Sequence, residues 1–190
     1  MSNVLRITIT ALLLATSLAA AQIPLRDPLT EAEADQLREL AQEPEKRLKL
    51  LCKFAQSRML AAEQLRGDPK LAQGRGEQLH GLIEDVMLLV KELDRNVDMF
   101  AEQRMDIRKP MKAVIEAETA IHLKLRALKE TSQADAAAQQ EARAYQFVLE
   151  DAIETVETAL DNARSVLEDQ QHEVQAAKDR EKSAKTEKKK

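Results

Sequence analysis

The sequence has no tryptophan, and its 190 residues include only one cysteine, one tyrosine, three phenylalanines, four glycines and five prolines. No glycine follows Gly81. Phosphate cradles and nucleophile elbows depend on backbone conformations that glycine supplies most readily, so this scarcity argues against most loop-built active sites. The single cysteine, Cys52, cannot close an intramolecular disulfide, which leaves packing alone to hold the fold. Three histidines, His80, His122 and His172, lie far apart in the chain, and no Ser, His and Asp set or Cys and His set has a local signature. The sequence therefore predicts a protein that is not an enzyme and carries no cofactor.

Ala, Leu, Glu, Lys and Arg make up more than half of the chain, a composition of long helices. The formal net charge of -4 conceals an asymmetry. Residues 178–190 hold seven basic and three acidic side chains, whereas residues 22–177 carry a net charge of -9. An acidic body repels phosphate backbones, so no nucleic-acid partner is expected. The Lys-rich end is a soluble tail that can make weak contact with an anionic envelope surface, at about 1 kcal/mol per lysine close to that surface.

Residues 7–21 contain no charge, include Leu12, Leu13 and Leu14, and follow a short head whose one side-chain charge is Arg6. This is the pattern of a secretory leader. Ala19 and Ala21 place small residues at the -3 and -1 positions of a cut before Gln22. The expected organisation is a signal peptide over residues 1–21, a linker over 22–29, a helical bundle over 30–177 and a disordered Lys-rich tail over 178–190. Such a chain would be exported, and periplasmic or extracellular after cleavage.

Within the bundle region, Thr30 and Glu33 fit a capping box at a helix start, and Pro44 predicts a kink or a new helix start near Glu43. Beyond it Leu48, Leu51, Ala55, Met59, Ala62 and Leu65 recur every three or four residues and share one face. The glycine-rich stretch from Gly67 to Gly76 predicts a chain reversal. Next comes the strongest signal, a stripe from Leu79 and Ile83 through Val90, Leu93, Val97 and Phe100 to Ile107, Met111, Val114, Ile121, Leu125 and Leu128. Its mean spacing of about 3.5 is that of a coiled-coil seam. Pro110 falls inside the stripe without shifting its register and without flanking Gly, Ser or Asn. One helix over residues 77–131, kinked at Pro110, is therefore predicted. Ser132 and Asp135 then cap a final Ala-rich helix, whose stripe runs from Ala138 through Tyr145, Leu149 and Val156 to Val166. Together these predict an all-α, elongated antiparallel three-helix bundle, which becomes a four-helix bundle if the chain breaks at Pro110. Phe54, Phe100, and the pair Tyr145 and Phe147 are the expected aromatic anchors of the core.

Two charges interrupt the middle stripe, Arg104 and Glu118, two heptads apart. Either they snorkel to water where the neighbouring helices end, or they pair to set register or contact a partner. Cys52 sits on the flank of its helix, either as a half-buried small apolar side chain or as a reactive thiol able to bridge two chains. For metal chemistry, Glu77 and His80 supply one Glu-x-x-His match, and Glu118 and His122 lie one turn apart. Neither pair completes a ligand set in the sequence.

Residues 44–58, PEKRLKLLCKFAQSR, with MDIRKP at 105–110, resemble a group of exported all-helical bacterial proteins of uncharacterised activity. That resemblance implies export and a helical fold but no reaction. Residues 29–33, LTEAE, are similar to the Leu-Thr-x-x-Gln motif of Spy-type periplasmic chaperones, which implies the holding of unfolded clients. Position 33 is Glu rather than Gln, the motif occurs once rather than twice, and the acidic body differs from the basic cradle of that family. The reading that combines these features is a non-enzymatic exported bundle acting by protein-protein contact in the bacterial envelope, with a protein partner or with itself. A Spy-like holdase is the alternative, and a metal-binding bundle a more remote one.

Overall fold

The computed structural model describes residues 27–187, and the leader and the cut before Gln22 lie outside them. Among the described residues there are six α-helices and no strand. They are α1 (Glu31–Glu39), α2 (Pro44–Gly67), α3 (Arg75–Glu102), α4 (Arg108–Ser132), α5 (Ala136–Ala142) and α6 (Gln146–Glu187), with a short 3-10 turn at Pro69–Leu71. None is long and apolar enough to cross a membrane.

The first two helix starts follow the sequence closely. The Thr30 hydroxyl accepts from the Glu33 amide at 3.3 Å, and the Glu33 carboxylate accepts from the Thr30 amide at 2.9 Å. Pro44 opens α2, where its missing N–H would have had no partner in any case.

The predicted helix over residues 77–131 is broken, not kinked, and the break lies ahead of Pro110. α3 ends with two backbone bonds, Arg104 N–H to the Ala101 carbonyl at 2.9 Å and Met105 N–H to the Phe100 carbonyl at 3.0 Å. This pair is a Schellman motif, which needs a left-handed residue at its centre. Arg104 fills that place with φ 57. Because glycine is the usual occupant, the stop was not visible in the sequence. Pro110 instead lies in the first turn of α4, where proline is tolerated. The stripe keeps its register because Phe100 and Ile107 remain one heptad apart across the turn, both buried. The final helix is also two helices. Asp135, not Ser132, is the N-cap of α5, accepting from Ala138 N–H at 2.8 Å, and the chain turns again at residues 143–145 before α6.

Four long helices form the bundle: α2 packs on α3, α3 on α6, α6 on α4, and α4 on α2. The three-helix arrangement is thereby corrected to four. Cross-helix bonds set the directions. His80 on α3 meets the Ala144 carbonyl at 3.0 Å, Asn162 on α6 donates to Asp94 at 2.7 Å, and Gln170 donates to the Met105 carbonyl at 2.8 Å, so α3 and α6 run parallel. Glu45 meets Lys109 at 3.0 Å and Glu63 meets Lys124 at 2.6 Å, so α2 and α4 run parallel too. Consecutive helices α3 and α4 sit on the diagonal, joined by five residues that cross the end of the bundle.

The seam residues Leu79, Ile83, Val90, Leu93, Val97 and Phe100 on α3, and Ile107, Met111, Val114, Ile121 and Leu125 on α4, are all buried. Fully burying each such side chain stabilises by about 1.5–3 kcal/mol before chain entropy is counted. Phe54, Phe100 and Tyr145 anchor the core as expected, but Phe147 is 71% exposed because two positions along a helix turn it away from the face of Tyr145. At the corner where α3 begins, a Cβ on Gly76 would lie 2.9 Å from the Ala144 Cβ, so this glycine permits the close approach of α3 to the chain between α5 and α6. α6 meets the connection through Gln170, lines the groove there as far as Val174, and continues to Glu187, where a disordered tail was expected from Lys178. Residues 171–187 are rich in Ala, Glu, Lys, Arg and Gln, all good helix formers, and i to i+4 pairs such as Gln175 with Asp179 at 3.1 Å support the run.

The left-handed Arg104 generates a prediction. Arg104→Gly removes the Cβ strain of that conformation and should raise stability by about 1 kcal/mol, read as a higher urea midpoint with an unchanged slope.

Candidate functional site

Two arginines of α2 tie the N-terminal segment to the bundle, and nothing in the periodicity singled them out. Arg58 donates to the Glu33 carboxylate at 2.6 Å and the Pro28 carbonyl at 3.1 Å, and its Nε lies 3.9 Å from Asp85 on α3. Arg47 donates to Asn96 Oδ1 at 2.5 Å and to the Leu37 carbonyl, and sits 3.8 Å from Glu92. Asn96 is itself buried and completes the link by donating to Glu92 at 2.8 Å. The capping carboxylate of Glu33 therefore serves a second purpose as the partner of Arg58, which holds its pKa low against the opposing effect of burial. A buried Asn beside the seam was the one signal in the sequence that could have revealed this network.

The second polar feature lies in the core. Glu118 on α4 is 1% exposed, and its Oε2 has no hydrogen-bond partner among the described residues. Burial pushes its pKa up from the ordinary 4.5 to about 8, Asp94 on α3 adds to the rise, and Arg164 on α6 opposes it. The carboxyl group holds its proton well above the usual carboxylate range, because leaving an unpaired carboxylate in the interior is costlier than keeping the proton. Asp94 is itself raised by partial burial, moderated by the hydrogen bond from Asn162. One turn along α4, the Nε2 of His122 is likewise buried with no partner among the described residues. Cys52 on α2 falls within electrostatic reach of Glu118. Burial, and then the Glu118 charge, pushes its thiol up to about 12. At neutral pH such a thiol is protonated and a poor nucleophile.

The structure thus buries Cys52 and Glu118 on neighbouring helices, within electrostatic reach of each other, and leaves Arg104 apart, exposed on the connection between α3 and α4. Arg104 borders a surface groove of about 430 Å³ formed by that connection and by α6 near Gln170 and Val174. There Gln170 clamps the turn, accepting from Ile107 N–H at 3.1 Å while donating to the Met105 carbonyl. Arg108 pairs with Asp106 at 2.6 Å and holds that carboxylate down at about 2. A second groove, of about 440 Å³, lies between α3 and α6 beside Asp94, Asp151 and Glu154. Among the described residues no group of three or more His, Cys, Asp or Glu side chains is placed to hold a metal ion, and neither Glu77 with His80 nor Glu118 with His122 acquires further ligands.

No protein-family model, curated protein or solved structure matches the chain.

Glu118 generates a pH prediction. Its folded pKa lies above its unfolded value, so between about 4.5 and about 8 the native state binds the extra proton, and this group's stabilisation is lost as pH rises. Glu118→Leu removes that loss. The stability of the variant relative to wild type should grow across this window and reach roughly 2–4 kcal/mol near pH 8. A difference that stays flat with pH in denaturant titrations would show that Glu118 is solvated or paired.

Proposed function

We propose that this chain is an exported, non-enzymatic helical bundle that acts through protein-protein contact in the bacterial envelope, as a scaffold or self-associating module. The observation that carries the reading is the end of α6, which runs past Val174, where it lines the groove at the α3 to α4 connection, and continues as a helix whose described side chains are exposed. A helix with few tertiary neighbours gains little from its own fold, and most helical stability in proteins comes from packing an amphipathic face. Residues 171–187 are nonetheless strong helix formers, which suits a segment presented to a partner. The leader pattern of residues 1–21 supports export, and the Lys-rich end supports weak attraction to an anionic envelope surface.

The holdase reading finds less support. A client-holding surface needs a contiguous apolar or basic cradle, whereas the exposed large apolar side chains of the described residues, Leu60, Leu71, Leu123 and Phe147, are spread over four separate elements. The metal reading would need ligands beyond the Glu118 and His122 pair.

A photo-crosslinking amino acid at Ala177 should yield discrete protein adducts in envelope fractions, and N-terminal sequencing of the recovered chain should begin at Gln22. Removing residues 171–190 should abolish the adducts while leaving the thermal midpoint within about 2 °C, because the segment buries little apolar surface. Absence of adducts from Val174, Ala177 and Glu181 alike would defeat the reading.

A further inference from the structure

The net charge conceals a separation of charge across the bundle. The parallel neighbours α2 and α4 carry twelve basic and five acidic side chains, while the parallel neighbours α3 and α6, counted to residue 173, carry four basic and fifteen acidic. Arg47, Arg58 and Glu118 turn inward, but Lys46, Lys49, Lys53, Lys109 and Lys112 are exposed on α2 and α4. On the opposite side Glu102, Asp151, Glu154 and Asp169 are exposed on α3 and α6, and Asp94 and Asp98 are close enough to share the amide of Asn162, at 2.7 and 2.9 Å.

Folding does not call for this placement. Arg108 and Lys109 open α4, whose first turn contains no acidic residue; they pair with Asp106 and Glu45, but cations there oppose the helix dipole. Nor do the surface pairs account for it, since exposed ion pairs such as Lys49 with Glu45 contribute little to stability. A chain that breaks a local rule for little gain to its own fold points to a use for the broken rule.

The geometry points to a second copy of this chain as the occupant of the α2 and α4 face, seated through its own α3 and α6 face. The complementary surface is already present on the molecule. α2 and α4, 24 and 25 residues long, extend about 36 Å, and two helices side by side are about 20 Å wide, so the face offers roughly 700 Å² per copy. A stable interface buries roughly 800 Å² per partner, so the face approaches that size. Because the two faces lie on opposite sides of the bundle, the contact is head-to-tail and open-ended, and copies add in a row. This assignment rests on the protein-contact reading above but uses a different surface from the projecting end of α6.

Sedimentation equilibrium of the chain from Gln22 onward, which contains every described residue, tests it. Between about 0.01 M and about 1 M salt the Debye length falls from about 30 Å to about 3 Å, so the average mass should be at least about twofold higher at low salt, rise with concentration, and return to monomer at high salt. Lys49→Glu with Lys53→Glu and Lys112→Glu should be monomeric at low salt, as should Glu102→Lys with Asp151→Lys and Glu154→Lys. Mixing the two reversed proteins should restore association. Circular dichroism melts establish that each variant folds, and Lys→Gln or Glu→Gln versions replace any that does not. A wild type that stays monomeric at low salt, association that survives high salt or either reversal, or reversed proteins that ignore each other would overturn the proposal. So would a monomer that binds phosphatidylglycerol vesicles through the same lysines, since the occupant would then be a membrane. Failure here with crosslinks from Ala177 retained leaves the protein-contact reading standing, whereas loss of those crosslinks with association retained points to the faces alone.

Discussion

The five residues between α3 and α4 constrain everything else in the molecule. Because Arg104 accepts a left-handed backbone, α3 stops after Glu102, and the chain crosses the end of the bundle diagonally instead of continuing or folding back alongside. The diagonal makes α2 a neighbour of α4 and α3 a neighbour of α6, each pair parallel although the chain alternates direction. Gln170 bonds the turn on both sides, accepting from Ile107 and donating to Met105, so α6 in turn depends on where the connection lies. A straight helix over residues 77–131 would have placed Arg108, Lys109 and Lys112 in line with the acids of α3 and mixed the charges that the bundle separates.

The interior combines a nondirectional driving force with a few directional restraints. Leucine, isoleucine, valine and methionine fill the seam, and such side chains tolerate sliding by a turn because neighbouring layers resemble one another. Arg47 with Asn96 and Arg58 with Glu33 do not tolerate it, since each guanidinium meets its acceptors in a single alignment of α1, α2 and α3. Glu118 is of another kind. It is buried without a partner for Oε2 and kept neutral by its surroundings, a polar group that lowers the stability of the native state as pH rises. Burial, reinforced by the Glu118 charge once that group ionises, makes the Cys52 thiol less reactive, not more.

Chemistry is concentrated on surfaces in this protein. Cys52, Glu118 and the buried nitrogen of His122 are enclosed by helices, whereas the grooves along α3 and α6 and at the turn are lined by mixed charges. A long helix that outlasts its bundle and two faces of opposite charge are features of contact, and contact between macromolecules is steered by complementary fields. The projecting helix and the charged faces lie on different parts of the molecule, so the two proposed contacts do not compete.

Short-range information sufficed for much of the structure. The spacing of Leu79 to Phe100 and of Ile107 to Leu128 identified the buried residues, and the Thr30 box and Pro44 identified two helix starts, because periodicity and caps act over a turn or two of backbone. The break at Arg104 was hidden because a turn of the right length preserves the heptad count, and because a residue other than glycine carries the left-handed conformation. The burial of Glu118 was left open, since a charge on a stripe is solvated or enclosed according to what the neighbouring helices cover. Side-by-side placement of α2 with α4 and of α3 with α6 was decided in three dimensions alone. Charges dispersed through a sequence of modest net charge become two opposed surfaces only when distant helices are brought parallel, and no local pattern encodes which helices will meet.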